Sequence, residues 1–95
     1  MIVLAVTYVV KAGHGDEVAD GLRRMAPLVK EHEPGCIHYE ASRSRENADH
    51  FLLYEVYQDQ AALDAHRETS YFKQIVEGQV IPLLESRVRT FYEPV

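Results

Sequence analysis

Residues 51–72, FLLYEVYQDQAALDAHRETSYF, decide how this 95-residue chain is read. Residues 51–57 form a strand that is largely apolar on both faces, with one carboxylate, Glu55, set among the apolar side chains. The chain turns at Gln58-Asp59-Gln60 and enters a short helix over 59–68, with Ala62, Leu63 and His66 along one side. It closes on Tyr71-Phe72. A carboxylate, an imidazole and several phenols are thereby directed towards one small apolar space. Such a space suits an aromatic or enol-like molecule and the movement of a proton.

Working outward, residues 2–10 are rich in β-branched side chains and apolar on both faces, which predicts a central strand. Gly13 and Gly15 mark a turn, and Asp16 serves as N-cap or first-turn acid of a helix. That helix carries Val18, Leu22, Met25, Ala26 and Val29 at helical spacing, with Pro27 expected to kink or divide it and Pro34-Gly35 to end it. Residues 36–44 read as a second strand, with Ile37, Tyr39 and Ala41 on one face and Cys36, His38 and Glu40 on the other. A polar hairpin loop over 45–49 leads to the 51–57 strand. Ser70 is placed to cap a further helix over 71–80, and 81–84 is an apolar connector to a last strand over 87–92.

The order strand, helix, strand, strand, helix, strand predicts an α+β, ferredoxin-like β-α-β-β-α-β unit, with an antiparallel sheet and helices on one face. The length predicts a single domain over 1–95. Strands apolar on both faces then leave a bare apolar sheet surface, and the expected remedy is a symmetric homodimer with two sheets face to face.

Composition excludes several partner classes. A net charge of −5 with scattered basic residues argues against nucleic acid and against anionic membrane surfaces. Cys36 is the only cysteine, so no disulfide forms within the chain and no cysteine-based metal site exists. No two histidines stand at helical spacing beside a carboxylate, so local metal-ligand spacing is absent. Residues 2–10 lack the basic flank and cleavage site of a signal peptide and are too short to span a bilayer. The expected location is the cytoplasm.

Glu33-Pro34-Gly35-Cys36 followed by Tyr39, then Phe51-x-x-Tyr54-Glu55-x-Tyr57-x-Asp59-x-x-Ala62-Leu63-x-x-His66-x-x-Ser70-x-Phe72, resembles the antibiotic biosynthesis monooxygenase domain, in its quinol-monooxygenase-like form. The resemblance covers essentially the whole chain, including Phe91-Tyr92. It implies a dimeric α+β barrel with a pocket between sheet and helices. It also implies a monooxygenase that uses no flavin, haem or metal, in which a deprotonated phenol or enol supplies the electron to oxygen. His66 would then be the acid–base group and Glu55 its catalytic or orienting partner. Tyr57 and Tyr71 would donate hydrogen bonds to the substrate oxygen, with Phe51, Leu53 and Phe72 as the apolar wall. Haem-degrading members carry an axial His and a strand Asn where Val76 and Val6 stand here, so haem ligation is not implied. Polyketide oxygenases have Trp and Asn near the places of Tyr57 and Leu53, and this chain has no Trp.

Other readings stay open on the residues alone. His66 serves equally as a brace between helix and sheet, and Glu55 as a structural partner for His66 or Arg67. An isomerase or tautomerase acting on an enolisable carbonyl compound would use the same acid–base pair, and a non-catalytic small-molecule-binding dimer would use the same pocket. Tyr54, opposite Glu55 by strand period, is assigned to the dimer face. His38 is assigned to a dimer or solvent face, and Cys36 to a small buried role. The run Glu31-His32-Glu33 reads as exposed charge.

Overall fold

The β-branched run near the start forms β1 (Ile2–Val10) in a computed structural model that describes residues 1–95. The elements that follow are α1 (Gly15–His32), β2 (Cys36–Arg43), β3 (His50–Tyr57), α2 (Gln60–Glu68), α3 (Phe72–Val80), a 3-10 turn Ile81–Leu83 and β4 (Leu84–Tyr92). The four strands form one antiparallel sheet in the order β2-β3-β1-β4. This is the ferredoxin-like arrangement expected from the sequence.

Period-two alternation sorts β1 into two faces. Leu4, Val6, Tyr8 and Val10 join Phe51, Leu53 and Tyr57 beneath Val18 and Leu22 of α1. A second cluster of Met25, Val29, Ile75 and Val76 ties α1 to α3. Each such aliphatic side chain contributes about 1.5–3 kcal/mol when fully buried. The other face of the sheet carries Leu52 (46% exposed), Tyr54 (43%), Val88 (57%) and Tyr92 (56%). Register sets Leu52 beside Thr7 and Thr7 beside Val88, while Tyr54 lies beside Ala5. Tyr54 therefore lies on the side of the sheet away from Glu55, as strand period requires. No helix is long and apolar enough to cross a membrane.

Four local expectations are corrected. Helix α1 runs unbroken through Pro27. Pro27 and Arg23 are both exposed, so the carbonyl that loses its partner lies on the solvent side. Ala26 is also exposed and is not part of the buried stripe. The register shift between Cys36 and His38 breaks the predicted alternation of β2, leaving Ile37 55% exposed while Cys36 packs against both core clusters. Thr69, not Ser70, caps α3: its hydroxyl accepts the Phe72 N–H at 3.2 Å. Residues 72–80 are wound as a π-helix.

Candidate active site

Three pieces of backbone converge on His66. Asp59 starts α2 by accepting the Ala62 N–H at 2.9 Å, a cap worth about 1 kcal/mol. From that start, helical spacing turns Leu63 and His66 inward, and both are buried. The Glu33-Pro34-Gly35 turn closes α1, with the Glu33 N–H donating to the Val29 carbonyl. The Gly35 carbonyl then accepts the Gln58 N–H at 2.8 Å. A Cβ on Gly35 would lie 2.7 Å from the Ala62 Cβ, so only bare backbone lets α2 come this close. The third piece is β3, which places Glu55 and Tyr57 on the helix-facing side.

The imidazole stands between two carboxylates. Nδ1 is 2.8 Å from Glu33 Oε1 and 3.0 Å from Oε2. Nε2 is 4.0 Å from Glu55 Oε1, an electrostatic approach longer than a hydrogen bond. Each carboxylate is held in turn by a phenol: the Tyr71 hydroxyl donates to Glu33 Oε2 and the Tyr57 hydroxyl to Glu55 Oε1. Side-chain exposure is 3% for His66, 8% for Glu33 and 6% for Glu55. Tyr39, Tyr57 and Phe72 surround the imidazole, their ring centroids 5.7, 5.5 and 5.1 Å from its own.

Burial raises the Glu55 carboxyl above its usual range, and the Tyr57 hydrogen bond and the His66 charge offset this only partly. Burial, and then Glu55, push Tyr57 well above an ordinary phenol. Tyr39 is raised by the same two causes. Tyr71 is raised by burial and by its bond to Glu33. These phenols stay neutral and act as donors, so proton exchange in the cluster falls to the imidazole and the carboxylates. Burial likewise pushes the Cys36 thiol up to about 12, which leaves it unsuited to nucleophilic work.

A cavity of about 350 Å³ opens against this cluster. Glu55, His66 and Phe72 line it, together with Leu4, Val6 and Tyr8 of β1. Tyr8 is held up at about 12 by burial and by Glu55. Of the residues singled out from sequence, Phe51 and Leu53 lie in the core and are not on this wall. Tyr57 and Tyr71 are also off the wall, their hydroxyls engaged by carboxylates. Glu33 was read as exposed charge and is instead the direct partner of His66. Its one sequence signal was its place before Pro34-Gly35. Tyr8 carried a signal as well, as the polar member of the inward series Leu4, Val6, Tyr8, Val10. No group of three or more His, Cys, Asp or Glu side chains is arranged to hold a metal ion.

The family model for antibiotic biosynthesis monooxygenase matches residues 1–78. Protein SO0527 from Shewanella oneidensis has a crystal structure that superposes with a TM-score of 0.86 at 29% identity, covering 96% of this chain and 87% of that one. Protein PA3566 from Pseudomonas aeruginosa shares the fold at a TM-score of 0.90 and 24% identity, over 99% of this chain and 93% of that one. The uncharacterised protein sll1783 of Synechocystis is 44% identical over 45 residues, which are 47% of this chain. That match spans 31% of the Synechocystis protein, about a third of its length.

Proposed function

The chain belongs to the antibiotic biosynthesis monooxygenase family, and on that premise we propose that it is a cofactor-independent monooxygenase of a small phenol or quinol. One observation carries the reading: a buried imidazole is bonded at Nδ1 by Glu33 and has its Nε2 on the Glu55 side, at the wall of a cavity that also presents Leu4, Val6 and Phe72. A carboxylate accepting from Nδ1–H leaves Nε2 as the basic nitrogen. His66 then takes the proton of a bound phenol, and the phenolate gives up an electron to oxygen. One oxygen atom enters the ring and the other leaves as water, so that a phenol and one oxygen molecule yield a quinone and one water. Tyr8 is the phenol on the cavity wall suited to donate to the developing anion. A homodimer through the open sheet face, residence in the cytoplasm and a single domain over 1–95 belong to the same proposal.

Oxygen uptake with a panel of hydroquinones and naphthols tests it, with chelator present and no flavin added. The expected result is uptake above the blank that falls about 10²–10⁴-fold in His66→Ala. Wild type at the blank rate across the panel overturns the oxygenase reading. The raised Glu55 carboxyl beside an imidazole also favours a second reading, an isomerase that moves a proton on an enolisable carbonyl compound. Turnover under nitrogen, lost in His66→Ala, is its signature.

A further inference from the structure

Arg67, Lys73, Arg87 and Arg89, four of the chain's 10 basic residues, line the one cavity that also holds His66. In a chain of net charge −5, composition does not account for that gathering. Lys73 is answered by Glu68 at 3.1 Å. The three arginines take part in no salt bridge. Nη2 of Arg89 is buried without any hydrogen-bond partner, the only buried side-chain nitrogen or oxygen in this condition. A guanidinium with a desolvated, unused donor is unfavourable unless something else in the fold or a ligand answers it. The Phe91 ring, 5.3 Å from the guanidinium carbon, steadies the group but accepts no in-plane hydrogen bond.

Sheet register locates this cationic end relative to the imidazole end. Glu55 pairs with Leu4, while Arg89 pairs with Val6 on the far side of β1. Arg89 is therefore two strands across and two residues along from Glu55. Strand spacing and rise put the two Cα atoms roughly 12 Å apart, with both side chains on the helix-facing side. Arg87, one pleat further, pairs with Tyr8.

We propose that Arg89, supported by Arg87, binds a carboxylate carried on the aromatic substrate, at the end of the cavity opposite the Glu55–His66 pair. A planar guanidinium offers paired donors that match a carboxylate, which fixes the ring and turns its hydroxyl towards His66. This assignment rests on the proposed aromatic substrate and on none of its oxidation chemistry. The substrate class is thereby narrowed from phenols in general to hydroxylated aromatic acids.

Anaerobic titration with 6-hydroxy-2-naphthoate, whose hydroxyl and carboxylate lie at opposite ends of the fused rings, and with 2-naphthol separates the two ideas, because neither probe needs to react. Wild type is expected to bind the carboxylate about 10- to 100-fold more tightly, against the repulsion of its own net charge. Arg89→Met should bring 6-hydroxy-2-naphthoate to the affinity of 2-naphthol and raise the melting temperature of the free protein, since an unanswered donor is removed. Equal affinity of the two probes in wild type overturns the carboxylate site, as does failure of both to bind. A preference that survives in Arg89→Met with a normal melting curve overturns it too. Selective binding of the acid without oxygen uptake on any hydroquinone upholds the site while the oxygenase reading falls. Oxygen uptake with equal binding of the two probes does the reverse.

Discussion

Glu33 and His66, 33 positions apart in the chain, meet at 2.8 Å with both side chains almost entirely out of water. The contact joins the end of α1 to the last turn of α2 and fixes which imidazole nitrogen carries hydrogen. Glu33→Gln keeps the shape but presents an amide, whose N–H can donate to Nδ1 while its carbonyl accepts from Tyr71. The imidazole then carries its hydrogen on Nε2 and loses its base on the Glu55 side. The expected outcome is a fall in kcat of about 10²-fold or more with little change in KM, and a tautomer switch in the 15N spectrum of His66. A variant with wild-type kcat would show that Glu33 only braces the helix. Glu33→Ala leaves Nδ1 and the Tyr71 hydroxyl without their partner and should lower stability by about 1–3 kcal/mol.

Gly35 sets the distance at which that pair forms. Its missing Cβ is what allows Ala62 to sit against the turn, one helical turn before His66. Gly35→Ala forces α2 outward and should cost about 1–3 kcal/mol, the usual range for overpacking. The same displacement should weaken activity more than a surface substitution of equal stability effect, because it lengthens Glu33–His66. Gly35→Ala combined with Ala62→Gly relieves the contact and should recover the stability. If the double variant stays as unstable as the single one, steric crowding is not the cause.

The strands were legible in the sequence because their patterns are global: β-branched runs and period-two alternation survive whatever packs on them. What escaped was local. One register shift turned Ile37 outward and put Cys36 with the core. The Thr69 cap lies one position from the residue that composition favours equally. In the site, His66 and Glu55 were visible as polar residues in apolar settings. Glu33 was not, because a charged residue among charged residues carries no periodic signal, and only the packing of α2 on the turn buries it. Arg87 and Arg89 were hidden similarly, since an edge strand with alternating charge looks solvated until the cavity beside it is seen.

The open sheet face makes a distinct prediction. Leu52, Tyr54, Val88 and Tyr92 form an apolar surface on the side away from the helices. A stable dimer needs about 800 Å² buried per partner, and a charge at the centre of such a patch opposes it. Sedimentation should give a dimer for wild type and a monomer for Leu52→Glu, with the isolated chain's fold kept because Leu52 is outside both core clusters. Wild type sedimenting as a monomer at tens of micromolar would remove the face-to-face dimer from the proposal.

Glu55 should make stability depend on pH in a direction opposite to most carboxylates. Burial is the largest influence on it and raises its folded-state pKa above the unfolded value. The folded chain therefore holds this proton more tightly than the unfolded chain does. Its contribution to stability is fully present below the unfolded pKa, about 4.3, and is lost as pH rises through the raised folded value. Glu55→Gln keeps an acceptor for the Tyr57 hydroxyl and removes the titration. At pH 7 the variant should melt higher than wild type, and the gap should narrow steadily as pH falls towards 4.5. Other carboxylates titrate in both proteins and cancel in the difference. A gap that widens on acidification would mean that the attraction of His66, not desolvation, governs the charge on Glu55.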